Sequence, residues 1–250
     1  MAALDLDASD ATMTRLLALY DDPAGEKVRP REAKWGVSAS LREEYAERGH
    51  EQWLYGEVTG HRELLEALLA VPALSEREEL VVDIGSGTGR FVVYAALAGC
   101  HACGQEFVPE RHAAAVAARA RCSPEEQARL ELRCEDALAT TSALEVATRV
   151  FCNNAVWPDT LNATVAAHVV SCAPRLVVFA TMKELSLEAA RATGLVLTRR
   201  TAVEVSWDRT GWPLYLYEPR DGPDSDACPE PLDDEAFHAA HESSSGFSMF

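Results

Sequence analysis

The sequence predicts an α/β fold in which a seven-stranded, mostly parallel sheet is closed by an antiparallel hairpin and preceded by a helical arm. Three observations carry this. Apolar strand-like runs alternate with helix-like segments of ten to fifteen residues between about 55 and 218, which implies crossover units. A glycine-rich loop in ELVVDIGSGTGRFVVYAA (79–96) sits between one such strand and the next helix. Two long strand candidates near residue 218 lie too close together for a crossover and read as a hairpin.

Taken in order, TMTRLLALY and SASLREEYAERG carry apolar residues at helical spacing, interrupted by the Pro- and Gly-containing DDPAGEKVRPRE. HRELLEALLAV reads as a helix, LVVDI as a buried strand, and RFVVYAALAG as a helix ending at Gly99. HACGQEF is the second strand, followed by the Ala-rich helix PERHAAAVAARARC. LELRC, TRVFCNN and RLVVFAT are further strands, the last preceded by the helix DTLNATVAAHVVSC. LVLTRRTAVEVSW and WPLYLYE form the hairpin across DRTG. A parallel sheet finished this way is the Rossmann-like architecture of class I methyltransferases. The expected organisation is an arm over 1–52, a core over 53–218 and an acidic tail over 219–250, rich in Pro, Asp and Ser and without a fixed fold.

Composition limits the possible partners. At 250 residues, 48% hydrophobic and 25% charged, the chain can bury one substantial core. No apolar run approaches the length of a membrane span, and the acidic N-terminus does not read as an export signal. Seven scattered cysteines fit reduced thiols in an intracellular protein. Cys100 and Cys103 form a C-x-x-C with no second pair at zinc-like spacing, so no metal site is expected. The net charge of −17 argues against strong general nucleic-acid binding. Lys27, Arg29, Arg31 and Lys34 form a local basic cluster, readable as a docking patch or as a solvated loop.

Gly85, Gly87 and Gly89 give G-x-G-x-G, with Arg90 where the dinucleotide fingerprint would have its third glycine. Asp83 precedes the loop. An acid at the strand end followed by a short glycine loop resembles the signature of S-adenosylmethionine-dependent methyltransferases, whose ligand has an amino-acid end and no pyrophosphate. Glu106 ends the second strand, placed to accept from ribose hydroxyls, and Asp136 follows the third, where an acid can take an adenine amino group. After the fourth strand, Asn153, Asn154 and Trp157 offer an amide to orient an acceptor amine and an aromatic face for cationic charge. The same Asn pair before Pro158 and Asp159 also reads as a helix cap.

FCNNAVWPDTLN resembles the double-Asn stretch of the non-SET histone lysine methyltransferases, the family named for disruption of telomeric silencing. LYGEVTGHRELLEALL, DIGSGTGRFVV and EVSWDRTGWPLYLYE resemble its Tyr-Gly-Glu element, glycine loop and closing hairpin, in the same order, over about residues 53–218. The resemblance implies a cofactor site for S-adenosyl-L-methionine made by Tyr55, Gly56, Glu57, Val58, the loop from Val81 to Arg90 (Asp83, Gly85, Ser86, Gly87, Gly89), Glu106, Asp136, Ala137 and Asn153. It implies that Asn153 lines the acceptor channel with a hairpin tyrosine. Either Tyr215 or Tyr217 can serve, because alternation puts both on one strand face. The hairpin departs from the family in having two extra residues between Trp207 and Pro213. The implied activity is methylation of a lysine, on histone H3 or the nucleosome, in the nucleus. A non-histone protein or a small amine as acceptor, or a silent cofactor-fold binding module, remain the alternatives. The sequence does not speak to oligomeric state.

Overall fold

The computed structural model describes residues 6–20, 56–72 and 79–220. The expected helix SASLREEYAERG, the basic cluster Lys27–Lys34, Tyr55 and the acidic tail from 221 on fall outside these residues. Among the described residues, no helix is long and apolar enough to cross a membrane.

The elements run α1 (Leu6–Leu19), α2 (His61–Leu69), β1 (Leu80–Ile84), α3 (Arg90–Leu97), β2 (His101–Glu106), α4 (Pro109–Arg119), α5 (Pro124–Arg129), β3 (Leu130–Cys134), a 3-10 turn (Leu144–Val146) and β4 (Arg149–Cys152). There follow α6 (Asp159–Cys172), β5 (Val178–Thr181), α7 (Leu187–Thr193), β6 (Leu195–Val205) and β7 (Asp208–Pro219). One seven-stranded sheet has the order β3-β2-β1-β4-β5-β7-β6. The first five strands are parallel, and β7 is antiparallel to both β5 and β6. The order reverses between β1 and β4, so their C-terminal ends open a crevice where open α/β sheets bind ligands.

Both faces of the sheet are covered, which explains the continuous apolar runs. Val81, Phe151 and Ala180 pack with α1, α2 and α3 on one side. Val82, Ile84, Val150 and Phe179 pack with Val165 and Val169 of α6 on the other. Leu16 and Leu19 of α1 belong to the first cluster, so α1 shares the core's apolar interior. Arg149 is fully buried in β4, where it pairs with Glu79 at 2.6 Å and donates to the Leu68 carbonyl.

Two short helices were not anticipated. Ser123 and Glu126 cap α5 reciprocally, a signature present in SPEE, and the Ser186 side chain caps α7. The hairpin also turns elsewhere than expected. Val205 pairs with Asp208, so the turn is Ser206–Trp207 and DRTG belongs to β7. Trp212 then pairs with Val203, so three residues of β7 oppose one of β6. The two extra residues noted in the sequence are therefore a bulge. Asp208 Oδ1 accepts from the Thr210 amide and hydroxyl, and Gly211 takes φ 106, which relieves the local crowding.

Candidate active site at the β1/β4 crevice

Gly85, Gly87 and Gly89 all adopt positive φ (74°, 58° and 79°), a conformation that only glycine takes without strain. The loop is tied to β2: Gly85 and Ser86 amides donate to the Gln105 carbonyl, and the Gly87 amide donates to Glu106 Oε2 at 2.7 Å. Glu106 Oε1 takes the Val108 amide at 2.8 Å. Glu106 thus fixes the loop against the strand end, and each of its oxygens retains a second lone pair for a ligand hydroxyl. Gly104 and Gly89 also permit close packing. A Cβ on Gly104 would lie 2.7 Å from Ser86 Oγ, and one on Gly89 would lie 2.7 Å from the Ala115 Cβ on α4.

Asp83 is buried, and its Oδ1 has no hydrogen-bond partner among the described residues. Burial pushes its carboxyl well above the usual carboxylate range, with the nearby Glu106 and Glu57 adding to the shift. A buried carboxylate oxygen left without a donor is costly, and a ligand carrying an ammonium or sulfonium charge would relieve it. The residues present therefore fit the amino-acid end of S-adenosylmethionine. Asp136 is exposed, with Oδ1 accepting from the Leu138 amide in the turn after β3, and Ala137 is half-buried beside it. Glu57 and Arg90 form a buried ion pair at 3.1 Å, and the Thr88 hydroxyl donates to Glu57.

Three segments distant in sequence meet at the other side of the crevice. The stretch from Gly56 to Gly60 runs along β6: Val58 bridges Val205, and Glu57 exchanges hydrogen bonds with Ser206 through both its amide and its carbonyl. Trp207 packs so closely on Gly56 that a Cβ there would lie 2.3 Å from its ring. Asn153 Nδ2 donates to the Gly56 carbonyl at 2.9 Å. The Gly-Glu, Asn and Ser-Trp stretches, separated by up to 150 residues, form one contact set.

The two asparagines divide their work. Asn154 is buried and structural: its Oδ1 accepts from the Met182 and Lys183 amides, and its Nδ2 donates to Asn162. It clamps the end of β4 to the end of β5, which the helix-cap reading did not foresee. Trp157 lies over Gly85, where a Cβ would be 3.6 Å from its ring. Beyond it, a hollow of about 430 Å³ opens between Ala155, Met182, Trp212 and Tyr215, with Lys183 at its rim. Lys183 pairs with Asp159 at 2.7 Å and donates to the Trp157 carbonyl.

The hairpin tyrosines separate. Tyr215 is half-buried and lines the hollow. Tyr217 is enclosed in the core, and its hydroxyl accepts from the Leu185 amide at 2.8 Å. Among residues the sequence did not single out are Gly104, Met182, Trp212 and Tyr20. A glycine inside a strand is a signal for close backbone approach, so Gly104 was findable; the others carry no local signature.

The strand order, the closing hairpin and the glycine loop at the crevice define a class I methyltransferase fold. No protein-family model and no curated protein sequence matches the chain. Among solved structures, it is similar to magnesium protoporphyrin IX methyltransferase from Synechocystis PCC 6803 with bound SAH. That likeness has a TM-score of 0.51 at 14% identity, over 72% of this chain and 98% of that one. It is also similar to the glycopeptide N-methyltransferase MtfA complexed with (S)-adenosyl-L-methionine. There the TM-score is 0.52 at 13% identity, over 66% of this chain and 96% of that one.

Proposed function

We propose that this protein is an S-adenosylmethionine-dependent methyltransferase whose acceptor is a protein lysine, with histone H3 as the substrate. Two neighbours in fold are named for complexes with this cofactor or SAH, and the orphaned oxygen of Asp83 suits its cationic end. The single observation favouring a lysine acceptor is the meeting of Asn153 with Gly56, Glu57, Ser206 and Trp207. These are the stretches whose combination resembles the non-SET histone lysine methyltransferases.

Bound S-adenosylmethionine supplies an electrophilic methyl group. The chain's own residues must bring a neutral amine to it, although a free lysine has a pKa of about 10.4. Asn153 has its Nδ2 committed to the Gly56 carbonyl, which directs the amide oxygen as an acceptor for an amine N–H. Trp157 closes over the glycine loop and Trp212 and Tyr215 border the hollow, so the approach is lined by aromatic rings. Such rings tolerate the charge of the product ammonium. The amine's proton leaves to solvent, since among the described residues the set contains no strong base aimed at the crevice. The net charge of −17 favours a free basic protein over DNA-wrapped nucleosomes, making free histone the better first substrate. A histone substrate places the work in the nucleus.

Asn153→Ala tests the assignment. Single-turnover transfer to free histone H3 should fall roughly 100-fold, because one positioning contact is lost. Calorimetric affinity for S-adenosylmethionine should stay within about threefold, since the glycine loop is untouched. Transfer at the parental rate would remove Asn153 from the acceptor site. Labelling of extract proteins or small amines without labelling of histones would redirect the substrate.

A further inference from the structure

The glycine loop is braced by a residue that lies 65 positions upstream of it in the chain. Tyr20 follows α1, and its hydroxyl donates to the carbonyl of Thr88, in the middle of the loop, at 2.8 Å. Its ring lies against the Arg90 guanidinium, 4.6 Å from carbon to centroid. Arg90 is held in turn by Glu57 at 3.1 Å, and Glu57 accepts from the Thr88 hydroxyl. Residues from three separate segments thus form a ring of contacts that opens and closes on the loop.

The position of Tyr20 is set by α1 rather than by the loop. Leu16 and Leu19 are buried in the core, where α1 packs on α3. Arg121 donates to the Leu19 carbonyl at 2.7 Å, and Arg15 pairs with Glu126 at 2.8 Å. Burial, with the Glu57 carboxylate adding to it, pushes the Tyr20 phenol well above its ordinary range, so it remains the donor.

We infer that Tyr20 is a positioning residue of the cofactor site: acting through Thr88 and Arg90, it holds the glycine loop in its ligand-ready conformation, so docking of α1 sets cofactor affinity. The inference rests on the reading of the loop as the S-adenosylmethionine site. Its physical basis is population. Three positive-φ glycines leave the loop many alternatives, and an apparent Kd rises in inverse proportion to the competent fraction. A cation–π contact and a hydrogen bond lost together can lower that fraction about tenfold.

The test measures S-adenosylmethionine Kd by calorimetry, alongside kcat and acceptor KM at saturating cofactor. Tyr20→Ala should raise the cofactor Kd about tenfold, with kcat and acceptor KM within about twofold of the parent. Tyr20→Phe keeps the ring against Arg90 and should recover most of the affinity. Val169→Ala, in the core cluster across the sheet, should lower the unfolding midpoint while leaving Kd parental. Arg90→Leu combined with Tyr20→Ala should weaken binding by clearly less than the two single changes together, because both remove the Tyr20–Arg90 contact. A parent that binds cofactor, with Tyr20→Ala binding equally tightly, overturns the inference alone. So does a loss of affinity in Val169→Ala matching that in Tyr20→Ala, or full additivity with Arg90→Leu. A parent that binds no cofactor overturns the reading of the loop and the inference with it.

Discussion

At the glycine-loop end of the crevice two buried acids are already engaged with the protein, although Asp83 beside them keeps an orphaned oxygen: Glu106 holds two backbone amides, and Glu57 holds Arg90 and Thr88. At the other end, around the hollow, charged groups sit at the rim. Asp159 and Lys183 pair there with side chains 71% and 39% exposed, and a hollow separates them from Trp212 and Tyr215. Buried groups in fixed hydrogen bonds make a preorganised surface that suits one ligand. Exposed ion pairs contribute little and rearrange easily, so the side chains around the hollow can change without disturbing the fold. A fixed end and an adjustable end are what one fold needs to serve many substrates.

The largest expected effect would break the rigid end. Gly87→Val places a β-branched residue at φ 58°, beside the amide that donates to Glu106. Binding of S-adenosylmethionine should weaken at least about 100-fold, while the unfolding midpoint falls far less. Calorimetry beside thermal unfolding checks this, and parental affinity would mean that the loop is not the preorganised surface.

A smaller effect sharpens the contrast within β7. Tyr217→Phe leaves the buried Leu185 amide without its acceptor and should cost about 1–3 kcal/mol of stability. Tyr215→Phe, at the hollow, should leave stability within about 0.5 kcal/mol and act on methyl transfer instead. Denaturant unfolding and single-turnover rates of the two variants separate them; equal behaviour would erase the distinction.

The smallest effect is a pH dependence. The folded protein holds the Asp83 proton at pH values where the unfolded chain has released it. Stability therefore falls as pH rises from the ordinary carboxylate range through the raised folded value, by at most about 1.4 kcal/mol per pH unit. Asp83→Asn should remove that component from denaturant midpoints measured across pH. Cofactor binding, which favours the ionised carboxylate, should tighten over the same window in the parent. An unchanged slope in Asp83→Asn would show that the cost of this buried acid is met elsewhere.

Much of the glycine-loop end was legible because its signals are local. A strand, an acid and alternating glycines within ten residues specify a turn whose backbone must take positive φ, and the structure has it. The region after β4 was legible only as a pair of candidates. Asn153 and Asn154 are adjacent in sequence and alike in chemistry, and nothing local says which faces Gly56 and which clamps the end of β5. The same holds for Tyr215 and Tyr217: the period of two correctly gives them one face, but burial along that face varies with what packs on it.

The sequence by itself determined the alternation of elements, the seven strands and the turn chemistry of the loop. These follow from periodicity and backbone preference, which act over a few neighbouring residues. Only the tertiary structure decided that Tyr20 reaches Thr88, that Trp207 closes on Gly56, and that Asn153 rather than Asn154 meets the Gly-Glu stretch. Those contacts join residues 68 to 151 positions apart. They depend on strand order and helix docking, which no short stretch of sequence encodes.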